Sequence, residues 1–101
     1  MQTGTRRAQA VGALRRRVRA GEVTLRELKG ISQAEFEAGV RVGRRLLARG
    51  ESRAALEVLS GLALYDPYQP SVWQAIEEAF RQRRQPRPAQ LFGRLARAMA
   101  A

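Results

Sequence analysis

The sequence predicts an all-α chain, with two helical hairpins of equal length behind an N-terminal amphipathic helix. Three observations carry that prediction. Apolar residues recur at spacings of three and four in every segment long enough to show a period. No segment alternates as a half-buried strand would. The two C-terminal hairpins also share one register, offset by 34 residues. At 101 residues the chain reads as a single domain, 1–101. Its hydrophobic fraction is 45% but only 6% is aromatic, so the core must be assembled mainly from Leu, Val and Ala. Burial stabilises chains of this size only marginally.

Residues 1–4 carry no pattern. The segment 5–20 reads as an amphipathic helix with Val11, Leu14 and Val18 on one stripe and Arg15, Arg16, Arg17 and Arg19 on the rest; Gly21 ends it. The segment 21–30 holds a short capped turn, in which Thr24 and Glu27 form a T-x-x-E box before a helix from Leu25 to Lys29, and Gly30 stops it. The first hairpin spans 32–66. Ser32 and Glu35 make a second capping box, flanked by Ile31 and Phe36 as a hydrophobic staple. Val40, Val42, Leu46 and Leu47 carry this helix to Gly50, and its partner runs from about Ser52 to Tyr65 with Ala55, Leu56, Leu59 and Leu62 inward. In the turn Asp66-Pro67-Tyr68-Gln69-Pro70, Pro67 cannot continue a helix, whereas Pro70 suits the first turn of the next. The second hairpin spans 70–101. Its first helix, about Ser71 to Arg83, carries Val72, Trp73, Ile76 and Phe80. Pro86 and Pro88 mark a break, and a last helix from about Pro88 to Met99 carries Leu91, Phe92, Leu95 and Ala96.

The 34-residue offset is the period of tetratricopeptide repeats, whose pattern is W-x₂-L-G-x₂-Y, then A-x₃-F, then P. The first hairpin supplies Gly39, Val42, Gly43, Leu46, Ala55, Leu59 and Pro67; the second supplies Trp73, Ile76, Glu77, Phe80, Ala89 and Gly93. Ala55 and Ala89 allow close helix approach, opposite Leu46 and Phe80. Gly39 stands where the pattern has Trp, and Glu77 and Gly93 stand where it has a small residue and an aromatic. Two repeats leave one end uncovered, so Val11, Leu14 and Val18 are expected to pack on the first hairpin, on a second copy in a homodimer, or on a partner.

Composition excludes several function classes. Without Cys or His the chain lacks disulfides, thiolate metal sites and the commonest general base. Glu77 and Glu78 are adjacent, so on a helix they point about 100° apart and make no working carboxylate pair. With no Gly-rich phosphate loop and no metal-ligand cluster, we expect no catalytic residue, no metal and no cofactor. The start of the chain has no apolar run of secretory type, and nothing approaches a membrane span of about 20 apolar residues. A cytoplasmic protein without membrane insertion is the expectation. The net charge of +10 has two readings: a surface for nucleic acid, an anionic membrane or an acidic protein partner, or an Arg-rich composition from a GC-rich genome. Nucleic-acid binding is disfavoured. Arg6, Arg7, Arg15, Arg16, Arg17 and Arg19 could follow phosphates, but no aromatics interleave them to stack on bases.

One stretch is more specific. A Gly-led segment with Leu25 and Leu28, then Gly30-Ile31-Ser32, then a helix ending at Gly50, precede Leu64-Tyr65-Asp66-Pro67-Tyr68-Gln69-Pro70 and Trp73. From Gly21 to Met99 the chain resembles the class II, tetratricopeptide-type chaperones of bacterial type III secretion, in a short two-repeat version. That family binds translocator proteins before export. The resemblance implies a bacterial cytoplasmic chaperone that holds an extended segment of a translocator or other secretion substrate. An alternative is a tetratricopeptide scaffold or adaptor for a component of the secretion apparatus. Family members usually carry a third repeat, often show aromatics on the groove face of the first helix, and are commonly acidic. On hairpin geometry the groove would be lined by Glu37, Val40, Arg44 and Leu47 from the first helix and Gln74, Glu78 and Arg81 from the third, with Tyr68 at the turn. Val40 and Leu47 would form its apolar floor; Arg44 and Arg81 would clamp the peptide's polar groups.

Overall fold

In a computed structural model, residues 23–101 are described, together with Gln9, Arg16 and Gly21. Val11, Leu14 and Val18, and the arginines around them other than Arg16, lie outside the described residues. Among the described residues five helices follow one another: α1 (Leu25–Leu28), α2 (Gln33–Ala48), α3 (Ser52–Tyr65), α4 (Pro70–Gln82) and α5 (Pro86–Ala100). Among the described residues there is no strand. Each helix from α2 onward packs on the next, α2 also packs on α4, and α1 packs on α3. Turns of three or four residues join them, so successive helices fold back on one another.

The helix starts are written locally. Thr24 Oγ1 accepts from the Glu27 N–H at the head of α1, one half of the expected box. Ser32 and Glu35 form the complete reciprocal box at the head of α2. Ile31 is partly buried against the core that contains Phe36, as a staple requires. One boundary differs from the sequence expectation: α5 begins at Pro86, two residues before Pro88. Both prolines fit in its first turn, because the N–H groups they lack would have no intrahelical partner there.

The 34-residue offset is a property of the backbone as well as of the sequence. At the first corner Glu51 N–H donates to Leu46 O and Arg49 N–H to Arg45 O; at the second, Gln85 N–H donates to Phe80 O and Arg83 N–H to Ala79 O. Each bond recurs 34 residues later. The same holds for the positive φ angles, 76° at Gly50 and 56° at Arg84. Glycine adopts this conformation without steric cost, whereas Arg84 adopts it despite its Cβ.

The hairpins close through small residues. Ala55 and Ala89 are buried at the interhelical contacts. In the first hairpin Gly43 faces Leu59: a Cβ on Gly43 would lie 2.7 Å from Leu59 Cδ2 and 2.8 Å from its Cγ. One turn earlier, a Cβ on Gly39 would lie 2.9 Å from Leu62 Cδ2. In the second hairpin the sizes are exchanged. Glu77 occupies the place equivalent to Gly43 and reaches toward Gly93, which occupies the place equivalent to Leu59. The second hairpin's departures from the first are therefore one compensated change. The central core joins Phe36, Val40 and Leu47 of α2, Ala55 and Leu59 of α3, and Val72, Ala75, Ile76 and Ala79 of α4.

A polar node ties the front of the fold to this core. Asp66 is 3% exposed and ends α3. Its Oδ1 accepts from the Tyr68 N–H and its Oδ2 from Gln69 Nε2, which together shape the turn. Arg26 Nε of α1 lies 2.9 Å from Asp66 Oδ2, an ion pair whose N–H is not aligned for a hydrogen bond. The same guanidinium sits over the Phe36 ring at 5.7 Å and donates through Nη1 to Gln33 Oε1.

Three expectations follow for stability, all read from urea midpoints. Gly43→Ala gains about 1 kcal/mol of helix propensity but drives a methyl into Leu59, which has no exposed side to move toward; overpacking of about 1–3 kcal/mol wins, and the midpoint falls. Gly61→Ala, with nothing within 4 Å of the added Cβ, shows the propensity gain alone and the midpoint rises. Asp66→Ala removes one partner of a buried ion pair and unmakes the turn; a loss of about 3 kcal/mol is expected, and a change below about 1 kcal/mol would show the node to be dispensable.

Candidate peptide-binding surface

The predicted groove residues divide into two sets. Glu37, Arg44, Gln74, Glu78 and Arg81 are exposed, and Arg44 and Glu78 are brought together, with Arg44 Nη1 3.7 Å from Glu78 Oε2. Both side chains of that pair are about half exposed, so it contributes little to stability. Glu37 accepts from Gln33 Nε2, and Arg81 pairs with Glu77 one turn earlier. Val40 and Leu47 are different. They are 6% and 3% exposed, and belong to the core under α4. They are not the apolar floor of an open groove. The physical reason is that α2 and α4 pack directly, and Ala75 and Ala79 of α4 are small enough to let those α2 side chains be covered. Gln82 Nε2 closes the far end of this seam by donating to the Leu47 carbonyl, which also accepts from the Gly50 N–H at the corner. The face shared by α2 and α4 is therefore polar and sealed. Tyr68 is exposed beside the turn, and its hydroxyl approaches Gly21.

The open apolar surface lies elsewhere, along the seam of α3 and α4. It is a trough of about 650 Å³. Leu56, Ser60, Ala63 and Leu64 of α3 form one wall, Pro67 closes an end, Trp73, Ile76 and Phe80 of α4 form the floor, and Phe92 of α5 stands opposite. Ser60 is the one polar side chain among them. The floor is rigidified by stacking. Phe92 stacks on Phe80 at 5.3 Å between centroids and on Trp73 at 5.8 Å, both nearly parallel. Trp73 is further fixed by donation from Nε1 to the Pro67 carbonyl at 2.6 Å. A pre-ordered aromatic floor loses little conformational freedom when something is laid on it. Leu64 on the rim is 74% exposed, a large apolar side chain with no cover. On α5, Leu91 is 56% exposed beside Phe92.

Sequence reasoning placed Leu56 inward and did not find the trough. A signal was available in the register. The α3 residues Leu56, Ser60 and Ala63 correspond, 34 residues on, to Gln90, Arg94 and Arg97, all exposed. So α5 has a solvated outer face of the kind found on capping helices, whereas the equivalent face of α3 is apolar. Only part of that apolar face is used by α4.

Among the described residues there is no group of three or more His, Cys, Asp or Glu side chains that could hold a metal ion, and no helix is long and apolar enough to cross a membrane. No family model, curated protein or solved structure matches this chain.

The two surfaces give opposite expectations for one substitution. Leu47→Asp buries a charge in the core and removes apolar contact, a loss above about 4 kcal/mol that is comparable with the whole stability of a small domain. Leu64→Asp changes an exposed side chain and leaves the fold intact. Circular dichroism melts of the two variants check this: helical signal is lost at ambient temperature in the first and retained in the second.

Proposed function

We propose that this chain is a tetratricopeptide-type binding protein that holds a segment of another polypeptide, and that it serves type III secretion as a cytoplasmic chaperone of an export substrate. The observation that carries the binding function is the trough: an open apolar channel with an ordered aromatic floor and an uncovered leucine on its rim. Exposed apolar patches of this kind on an otherwise charged surface mark interaction sites. The secretion role rests on the resemblance of Gly21 to Met99, above all the Tyr65-Asp66-Pro67-Tyr68 turn before Trp73. Asp66 gives that turn a physical purpose. Its carboxylate orders the turn while the Pro67 carbonyl anchors the indole that floors the trough.

The chemistry suits a holding function. A substrate kept unfolded for export exposes apolar side chains that need a cover. A shallow trough covers a few of them, and the ordering cost of the segment keeps the affinity moderate, so that release needs no chemical step. The polar α2–α4 face, with Arg44 and Arg81, would then contact the flanks of the cargo rather than its anchors.

The test is reconstitution. A protein that co-purifies with the full chain from its own cells is identified, purified separately and recombined by calorimetry with wild type, Leu64→Asp and Arg44→Glu. Wild type binds, Leu64→Asp weakens the complex by at least about ten-fold, and Arg44→Glu changes it by less than about three-fold. Equal binding by Leu64→Asp would remove the trough as the site; loss with Arg44→Glu alone would return the site to the α2–α4 face.

A further inference from the structure

The trough is defined well enough to say what kind of segment it fits. Along α3 it runs from Leu56 to Leu64, eight residue steps, or about 12 Å of helix rise. That length accommodates about two turns of an occupant helix, presenting anchors at i, i+4 and i+7. The floor is wide and aromatic, which suits Leu, Met or Phe anchors.

The charges around it select the rest. Arg53 lies one turn before Leu56 on α3, Arg83 just past the end of α4 and three residues beyond Phe80, and Arg87 one turn before Leu91 on α5; all three are exposed. Glu57, also on α3, and Glu51 at its N-cap are the acids near Arg53. Beyond Glu78 the sequence holds six arginines and no acid. Among the described residues Arg53, Arg83 and Arg87 have no acidic partner within ion-pair distance. The trough therefore opens, at its Leu56–Phe80 end, onto arginines that are not ion-paired and that outnumber the acids there. This argues against two possible occupants. A second copy would bring its own net charge of +10 to the contact. The chain's own residues 1–20 carry Arg6, Arg7, Arg15, Arg16, Arg17 and Arg19 and no acid. Both would add like charge at the same end.

We infer that the trough takes the apolar stripe of an amphipathic helical segment from another protein whose flanking residues are acidic. This rests on the reading of the chain as a polypeptide binder. The anchors supply the affinity, and the acidic flank sets its orientation, with the carboxylates at the Arg53–Arg83 end.

Trp73, the one tryptophan, floors the trough and reports occupancy directly. The probes are two Trp-free synthetic peptides of about sixteen residues with identical Leu stripes. One has Glu at the flanking positions and the other has Lys. Each is titrated into the full chain while Trp73 emission is followed. The Glu peptide is expected to give a saturable shift, with an affinity at least about ten-fold above that of the Lys peptide. Its affinity should fall as salt is raised from about 50 to about 500 mM. In the full chain carrying Arg53→Glu and Arg83→Glu, the preference shrinks to within about two-fold or reverses. Leu64→Asp abolishes the response to both peptides. Equal binding of the two peptides, still dependent on Leu64, overturns the acidic selection and leaves the polypeptide-binding reading standing. No Trp73 response to either peptide overturns both. A dimer in sedimentation that Leu64→Asp dissociates makes a second copy the occupant. Tighter peptide binding by the full chain carrying Leu14→Asp makes the chain's own N-terminal segment the occupant. Either result overturns the inference.

Discussion

Close approach of helices to α4 is the constraint on which the rest of this structure depends. Three helices pack on it, and one helix can be surrounded in this way only if its inward side chains are small or compact. Val72, Ala75, Ile76 and Ala79 meet that condition, and all are buried. Ala75 and Ala79 bring α2 near enough for Val40 and Leu47 to be covered completely. A surface that hairpin geometry alone would leave open is thereby closed, and Gln82 and the Arg44–Glu78 pair finish it with polar contacts. Apolar area not consumed by α4 remains on α3, where Leu64 is left in solvent.

The same size rule explains why two hairpins with one backbone have such different side chains. Their corners share three backbone hydrogen bonds at equivalent positions, and the helices of both approach closely. Close approach needs a small residue on one helix at each contact but does not say on which. The first hairpin places glycine on its leading helix, at Gly39 and Gly43, and leucine on its trailing helix, at Leu62 and Leu59. The second reverses this. Trp73 and Glu77 lead, and Ala96 and Gly93, the residues equivalent to Leu62 and Leu59, trail and are buried. The reversal has a consequence at the surface. With the large residue on the leading helix, an indole is available to floor the trough, and Phe92 can stack on it.

Asp66 links the two levels. It is the one described charged or polar residue taken out of solvent, and burial of a carboxylate is tolerable only because Arg26, the Tyr68 N–H and Gln69 all address it. Through Arg26 it fixes α1 against the hairpins. Through the turn it sets the Pro67 carbonyl under Trp73. Local turn chemistry, front-end docking and the ordered floor of the candidate site therefore share one residue.

The sequence by itself determined the helices between residues 25 and 100, the Ser32 cap and the 34-residue offset of the corners, because each is written in residues close along the chain: Ser32 with Glu35, Pro70 in a first turn, Gly50 at a corner. It also shows that the chain has neither Cys nor His. Tertiary structure decided which apolar residues are covered. Val40, Leu47, Leu56 and Leu64 have similar side chains and similar helical spacing, yet the first two are core and the last is exposed. What separates them is the distance between α2 and α4 as against that between α3 and α5, and this is set by residues 30 or more positions away, such as Ala75, Ala79 and Phe92. The Arg26–Asp66 node was hidden for the same reason. Its partners are far apart in sequence, and only the packing of α1 against α3 brings them together.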